Sequence, residues 1–355
     1  MPLVLLLEVS SLKNKISLFI AVLTLSVIFN FLTQSSSEAA ATGCKKTDDG
    51  TAILVTAGDE TPFAFAGTSN YNQDNCSQEP DEYKIKFFKV ALCSAEPYTT
   101  GGGTAPDFTS CTDLSNTEKE VTLEPGVDKD LIDGELVLPL GSYKYLVVII
   151  DNHLKIKHQQ KYVLASDGTT AASIFGNSSG SGAFCWTVAA GITTYTGETY
   201  DSDYATAQGV TPVASGNGTT NARLKCGSSV SGKGFATEII DHFGDDATFV
   251  SFMNYGELDV ATETGIAGIE LAGNMLQADN TIATNEDHSR RIAQIYRYTT
   301  PIIIAENTSS FKLKVTTYAS VSIDMATDEN DSHKIYGAKV GGDPFIIQVE
   351  TGTAE

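Results

Sequence analysis

Hydrophobic and polar residues alternate at period two over much of the readable chain, and that period belongs to strands. Tyr83-Lys84-Ile85-Lys86-Phe87 puts its apolar side chains on one face and its lysines on the other. Phe311-Lys312-Leu313-Lys314-Val315-Thr316-Thr317-Tyr318 does the same over a longer run, so both are read as half-buried antiparallel strands. Tyr145 to Ile150 is apolar on both faces, as a central strand buried from two sides would be. Asp151-Asn152 then supplies turn chemistry before Leu154-Lys155-Ile156-Lys157 alternates again, which predicts a hairpin. Further strands are expected at 53–57, 119–123, 135–138, 184–189, 302–305 and 345–350. Helical periodicity is confined to two short stretches. Phe235 to Phe243 carries Phe235, Ile239, Ile240 and Phe243 on one stripe, and Asp287 to Tyr298 is built around Ile292 and Ile295.

The expected fold is all-β: two antiparallel β-sandwich-like domains with long loops and one or two short helices. Ser166 to Gly182 is rich in Ser, Gly, Thr and Ala and has little periodicity. It is read as a linker between an N-terminal β domain over 42–165 and a C-terminal β domain over 183–355. Thr193 to Asn221 is equally polar and reads as an exposed excursion. The alternating run Phe345 to Val349 has two readings, as a strand of its own domain or as an edge offered to a neighbouring subunit. The first is preferred, because terminal strands usually complete their own sheet.

The N-terminal region changes the picture from a fold to an address. Lys13 and Lys15 precede an apolar run, Ile16 to Leu32, and a Ser/Ala-rich stretch that ends in Ala39-Ala40-Ala41. This order matches a secretory signal peptide over 1–41, with the translated start near residue 12 and the mature protein beginning near Thr42. The run is short of the roughly 20 apolar residues a membrane span needs, so cleavage is preferred to a retained anchor. Cys44 lies too far from the apolar run to read as a lipid-bearing cysteine. The expected location is outside the cytoplasm, extracellular or on the cell surface, with the periplasm as a further compartment.

Charge and cysteines follow from that address. The chain has a net charge of −21, and loss of residues 1–41 leaves it unchanged, because Lys13 and Lys15 go together with Glu8 and Glu38. Nucleic-acid binding needs clustered Lys and Arg to displace counterions, so nucleic-acid partners are excluded. Six cysteines, Cys44, Cys76, Cys93, Cys111, Cys185 and Cys226, show no CxxC pair and no zinc spacing with histidine. In an oxidising compartment they read as disulfides. Of the fifteen pairings open to six cysteines, the sequential set 44–76, 93–111 and 185–226 closes only local loops and is the expected one.

Two short motifs invite chemistry and lack its context. Gly227-Ser228-Ser229-Val230-Ser231-Gly232-Lys233 matches a phosphate-cradling loop, but Gly234 stands where magnesium binding needs Ser or Thr. Gly176-Asn177-Ser178-Ser179-Gly180 matches a nucleophile elbow, but Ser181-Gly182-Ala183-Phe184 does not start a helix. No catalytic residue and no cofactor is therefore assigned. Acidic loops could feed oxygens to calcium, and the candidates are Asp241, Asp245 and Asp246, and separately Asp328, Asn330 and Asp331 with Glu329. Neither group has the spacing of a calcium-binding loop, and a solvated acidic turn is the simpler reading. Asn75, Asn177, Asn217, Asn307 and Asn330 begin NxS/T sequons in segments read as loops. Trp186 beside Cys185 is expected in the core rather than as an exposed sugar platform.

The function these readings converge on is a secreted or cell-surface, non-catalytic structural or adhesive protein, such as a filament or surface-layer component. Its expected partners are subunits of its own kind or surface glycans. A carbohydrate- or calcium-dependent binding protein and a secreted hydrolase are the alternatives.

Overall fold

The computed structural model describes residues 52–54, 77–98, 104–127, 129, 131–132, 137–164, 171, 173–176, 180–189, 192–194, 224–243, 249–257, 268–318, 320–328 and 331–353. The expected leader, Cys44, Cys76 and most of the polar excursion lie outside the described residues.

Nearly every described segment is extended. The first strands are β1 (Ala52–Leu54), β2 (Ser77–Gln78), β3 (Glu82–Cys93), β4 (Cys111–Ser115), β5 (Lys119–Leu123), β6 (Gly141–Asp151) and β7 (His153–Lys157). They are followed by β8 (Gln159–Leu164), β9 (Ile174–Phe175), β10 (Ser181–Gly182), β11 (Phe184–Thr187), β12 (Ile192–Thr194), β13 (Leu224–Gly227) and β14 (Ala236–Ile239). The last are β15 (Phe252–Glu257), β16 (Ile269–Leu276), β17 (Arg291–Ile304), β18 (Thr308–Thr316), β19 (Val321–Asp328), β20 (Asp331–Gly342) and β21 (Ile346–Thr353). The protein is all-β, as its period-two patterning requires.

Two expected helices are strands instead. Phe235 to Phe243 contains β14, and Asp287 to Tyr298 runs into β17 after a single 3-10 turn at Glu286–His288. In β17 the residues from Ile292 to Ile295 are buried without a break, because the strand is covered on both faces and paired on both edges, to β6 and β16. A strand buried on both faces carries no period-two signal, so its apolar spacing imitates a helical stripe.

The expected hairpin at Asp151-Asn152 is also absent. β6 and β7 run along the same partner, with Phe87 opposite Ile150 and Tyr83 opposite Ile156, so they form one long strand with a bend between them. Asn152 is fully buried at the bend. Its N–H donates to the Arg290 carbonyl at 3.3 Å, its carbonyl accepts from the Ile240 N–H at 2.9 Å, and its Nδ2 donates to the Ser289 carbonyl at 3.2 Å. The turn-forming residue thus serves as a bulge, bonding the residue after β14 on one side and the two residues before β17 on the other.

The largest sheet has ten strands, in the order β12-β14-β7-β3-β6-β17-β16-β15, with β4 and β5 on the other edge of β3. It draws strands from both sides of residues 166–182 through the long antiparallel ladder between β6 and β17. Smaller sheets are β1-β8-β11-β13, β10-β9-β20-β19-β2 and the two-stranded ribbon β18-β21. On one face of the ten-stranded sheet, Leu146, Val148, Ile150 and Tyr296 share a core with Ile323, Val340, Phe345 and Ile347. On the other face, Tyr145, Val147, Ile149, Ala293 and Ile295 pack with Cys93, Tyr98, Ala272 and Leu276. The doubly apolar pattern of Tyr145 to Ile150 reflects these two cores.

Two disulfides form as the sequential pairing predicts, Cys93–Cys111 and Cys185–Cys226. Each joins residues directly opposite one another, in the β3–β4 and β11–β13 ladders. Their sequence separations are 18 and 41. Chain entropy alone assigns loops of such lengths about 3 and about 4 kcal/mol. The glycines of 166–182 contribute close contact rather than slack. A Cβ at Gly176 would stand 2.2 Å from the Cys226 nitrogen, and one at Gly182 would stand 2.0 Å from the Gly227 carbonyl carbon. Only glycine lets these backbones lie so near β13.

Candidate functional site

Among the described residues, those singled out for chemistry in the sequence are dispersed or occupied, and Asn177, Ser178 and Ser179 of the elbow match lie outside the described residues. Lys233, the lysine of the phosphate-loop match, pairs with Asp81 at 2.6 Å, and the Ser231 carbonyl accepts a hydrogen bond from Trp186 Nε1 at 2.9 Å. The motif connects β13 to β14, so a strand follows it where phosphate binding would need a helix N-terminus. Gly176 and Gly180 of the elbow match are held against Cys226, and the Gly176 N–H donates to the Gly180 carbonyl at 3.1 Å. Trp186 is buried, as expected, which removes it as a sugar platform.

Among the calcium candidates, Asp241 is buried, its Oδ1 lies 3.2 Å from His242 Nδ1, and its carbonyl accepts from Ser289 Oγ at 2.6 Å. Asp328 and Asp331 face each other as the paired ends of β19 and β20. Asp245, Asp246, Glu329 and Asn330 lie outside the described residues. Among the described residues no three His, Cys, Asp or Glu side chains gather where they could hold a metal ion.

A different feature emerges where β6 begins and β17 ends. Leu140 leads into β6, Ile304 closes β17, and the ribbon strand β18 follows after a turn at Ala305, where the Thr308 N–H donates to the Ala305 carbonyl at 3.0 Å and Thr308 Oγ1 accepts from the Ala305 N–H at 2.9 Å. These segments enclose a groove of about 980 Å³ whose walls include Leu131, Val137, Leu138, Leu140, Ile304, Phe311 and Leu313. Val137 is 84% exposed, Leu140 60%, and Ile303, next to the wall residue Ile304, 55%. Large apolar side chains this exposed are normal when scattered, and informative when they cluster at one place. Here the three most exposed of the described large apolar residues lie near the start of β6 and the end of β17, Val137 and Leu140 in the groove wall and Ile303 next to it.

Charges edge the groove. Lys129, Lys312 and Lys314 line it with Glu306 and Glu350, and Lys129 is paired to Glu124 at 3.0 Å. Lys312 and Lys314 make no ion pair among the described residues, although Glu350 is the cross-strand neighbour of Lys312. β18 has one ladder partner among the described residues, β21, and β21 has only β18. The ribbon is fastened to the sheet below by two tyrosines of β17. Tyr296 donates to the Phe345 carbonyl and Tyr298 to the Ile347 carbonyl, each at 2.7 Å. Burial pushes both phenols well above their ordinary range, so they remain donors at any physiological pH.

The terminal strand β21 therefore pairs within its own chain, the preferred sequence reading, and among the described residues β18 and β21 each have one unpaired edge, with the groove beside β18. The alternation of Phe311 to Tyr318 identified that strand and its lysine face. It could not identify the groove, because Leu131 to Leu140, Ile304 and β18 meet only through the fold. No protein-family model, no curated protein and no solved structure matches this chain. Fold and site together define an all-β, disulfide-braced protein with a groove of mixed apolar and charged lining along β18, a strand with one ladder partner among the described residues.

Proposed function

We propose that this chain is a secreted or cell-surface, non-catalytic structural or adhesive protein, working as a component of a filament or surface layer. The observation that carries the reading is the groove along β18, where Val137 and Leu140 face solvent among apolar and charged walls beside a strand with one ladder partner among the described residues. Apolar surface gathered beside free backbone donors and acceptors is the chemistry of a protein contact, since a partner strand would satisfy both at once. Cross-strand disulfides fit an oxidising compartment, and no described helix is long and apolar enough to cross a membrane. The leader-like N-terminal segment supports the same address.

Negative-stain microscopy and sedimentation of the protein beginning at Thr42 test this reading. Regular filaments, sheets or discrete higher oligomers are expected as concentration rises. A particle that stays monomeric throughout would overturn it.

A further inference from the structure

We propose that the open edge of β18 receives an extended, carboxylate-bearing strand from a second copy of this chain, joined head to tail. This rests on the assembly reading and names the partner of the same groove.

The groove follows the strand edge. Every residue from Thr308 to Lys314 lines it, from both faces of β18, and the opposite edge of the strand is already taken by β21. An added strand would extend the ribbon, and its side chains would continue the alternation of β18. Phe311 and Leu313 sit on the inner face, so apolar residues of the incoming strand would cover the groove beside Val137 and Leu138. Lys312 and Lys314 sit on the outer face, so the alternate residues of the incoming strand would meet two ammonium groups. The preferred occupant therefore alternates apolar side chains with carboxylates.

Charge selects the copy and the geometry. The whole chain carries −21, so almost any surface of a second molecule brings carboxylates to this lysine pair. The same lysines oppose the simplest symmetric contact. Two β18 edges laid antiparallel in the register centred on Leu313 would set Lys312 of each copy against Lys314 of the other, and like charges directly opposite one another are destabilising. A contact between the β18 edge of one molecule and a different surface of the next is heterologous, and it repeats until it closes into a ring or grows as a filament.

The test uses the protein beginning at Thr42, as an equal mixture of isotope-labelled and unlabelled copies, coupled with a zero-length carbodiimide reagent and mapped by mass spectrometry. Links between copies are expected from Lys312 or Lys314 to Asp or Glu of the other copy. The double variant Lys312→Glu/Lys314→Glu should weaken self-association by at least about tenfold, since it replaces attraction by like-charge repulsion. Its melting temperature should fall only slightly, by the repulsion between Lys312→Glu and its cross-strand neighbour Glu350, which Lys312→Gln/Lys314→Gln does not introduce. Lys312→Gln/Lys314→Gln should fall between it and the parent, which guards against a folding defect. If the parent assembles while both variants assemble equally well and the links lie elsewhere, this inference fails and the assembly reading stands. If the parent never assembles, both fail together.

Discussion

β6 and β17 lie side by side through the largest sheet, and their two ends are finished in opposite ways. At the end formed by Asp151 and Arg291, buried polar groups close the structure. Asn152 bonds Arg290, Ser289 and Ile240, and Ser289 Oγ reaches the Asp241 carbonyl. At the end formed by Gly141 and Ile304, Leu140, Val137 and Ile303 stand in solvent beside an open strand edge. Buried polar groups must find partners within the chain, because an unsatisfied one costs about 1–3 kcal/mol. Exposed apolar groups incur no such penalty, and their burial awaits another surface. The first end serves folding, and the second is free to serve contact.

The largest expected effect breaks the closed end. Asn152→Leu removes the donor to the Ser289 carbonyl and places an apolar side chain in a polar junction. A loss of about 2–3 kcal/mol is expected, measured by equilibrium denaturation. A change below about 0.5 kcal/mol would show that the junction is not a folding element, and the contrast between the ends would collapse. Tyr298→Phe acts between the two ends, where β17 holds the ribbon through the Ile347 carbonyl. It should cost about 1 kcal/mol and raise amide exchange in β21 more than in β6.

The sequence announces these regions unequally. The strands around Tyr83, Tyr145 and Phe311 were legible because apolar and polar residues alternate, or because both faces are apolar, and side-chain period depends only on the local chain. The Cys93–Cys111 and Cys185–Cys226 pairs were legible because both close local loops. The first half of Arg291–Ile304 reads as helical in sequence, because burial on both faces erases its period. Asn152 reads as a hairpin turn, because its residue type suits a turn and a buried bulge alike. The glycines at 176, 180 and 182 looked like linker composition, although their requirement is the close approach of β13. The groove had no local signature at all, because its walls are brought together by strand pairings far apart in sequence.

Acid titration probes the closed end more gently. Asp151 Oδ1 accepts from the His153 N–H at 3.0 Å and lies 2.9 Å from His153 Nδ1. Burial alone would raise its pKa, but these two hydrogen bonds, together with the charges of His153 and Lys86, more than offset burial and hold the carboxyl below its ordinary value of 3.8. A folded pKa below the unfolded one means that Asp151 contributes stability above the unfolded value, and that the contribution is lost as pH falls through the folded one. Asp151→Asn should therefore be less stable than the parent above the ordinary carboxyl value of 3.8, with the gap closing as pH falls through the lowered folded value. Thermal melts of both proteins across that range would show it, and a gap independent of pH would remove the assigned role.

The smallest expected effect on folding concerns the open end, where it discriminates most. Val137→Ser and Leu140→Ser remove apolar surface that is already in water, so the isolated chain should change in stability by less than about 0.5 kcal/mol. If instead either substitution cost as much as Asn152→Leu, the groove would be part of the folding core and the two ends would not differ in kind. Denaturation should be followed well below the concentration at which the parent associates, because binding of a second copy would otherwise add to the apparent stability of the parent alone. The same two variants should assemble more weakly than the parent in sedimentation, since the surface they lose is the surface a neighbour would bury. A side chain that is neutral to the monomer and necessary to the assembly belongs to the contact, and that separation is what the contrast between the two ends of β6 and β17 requires.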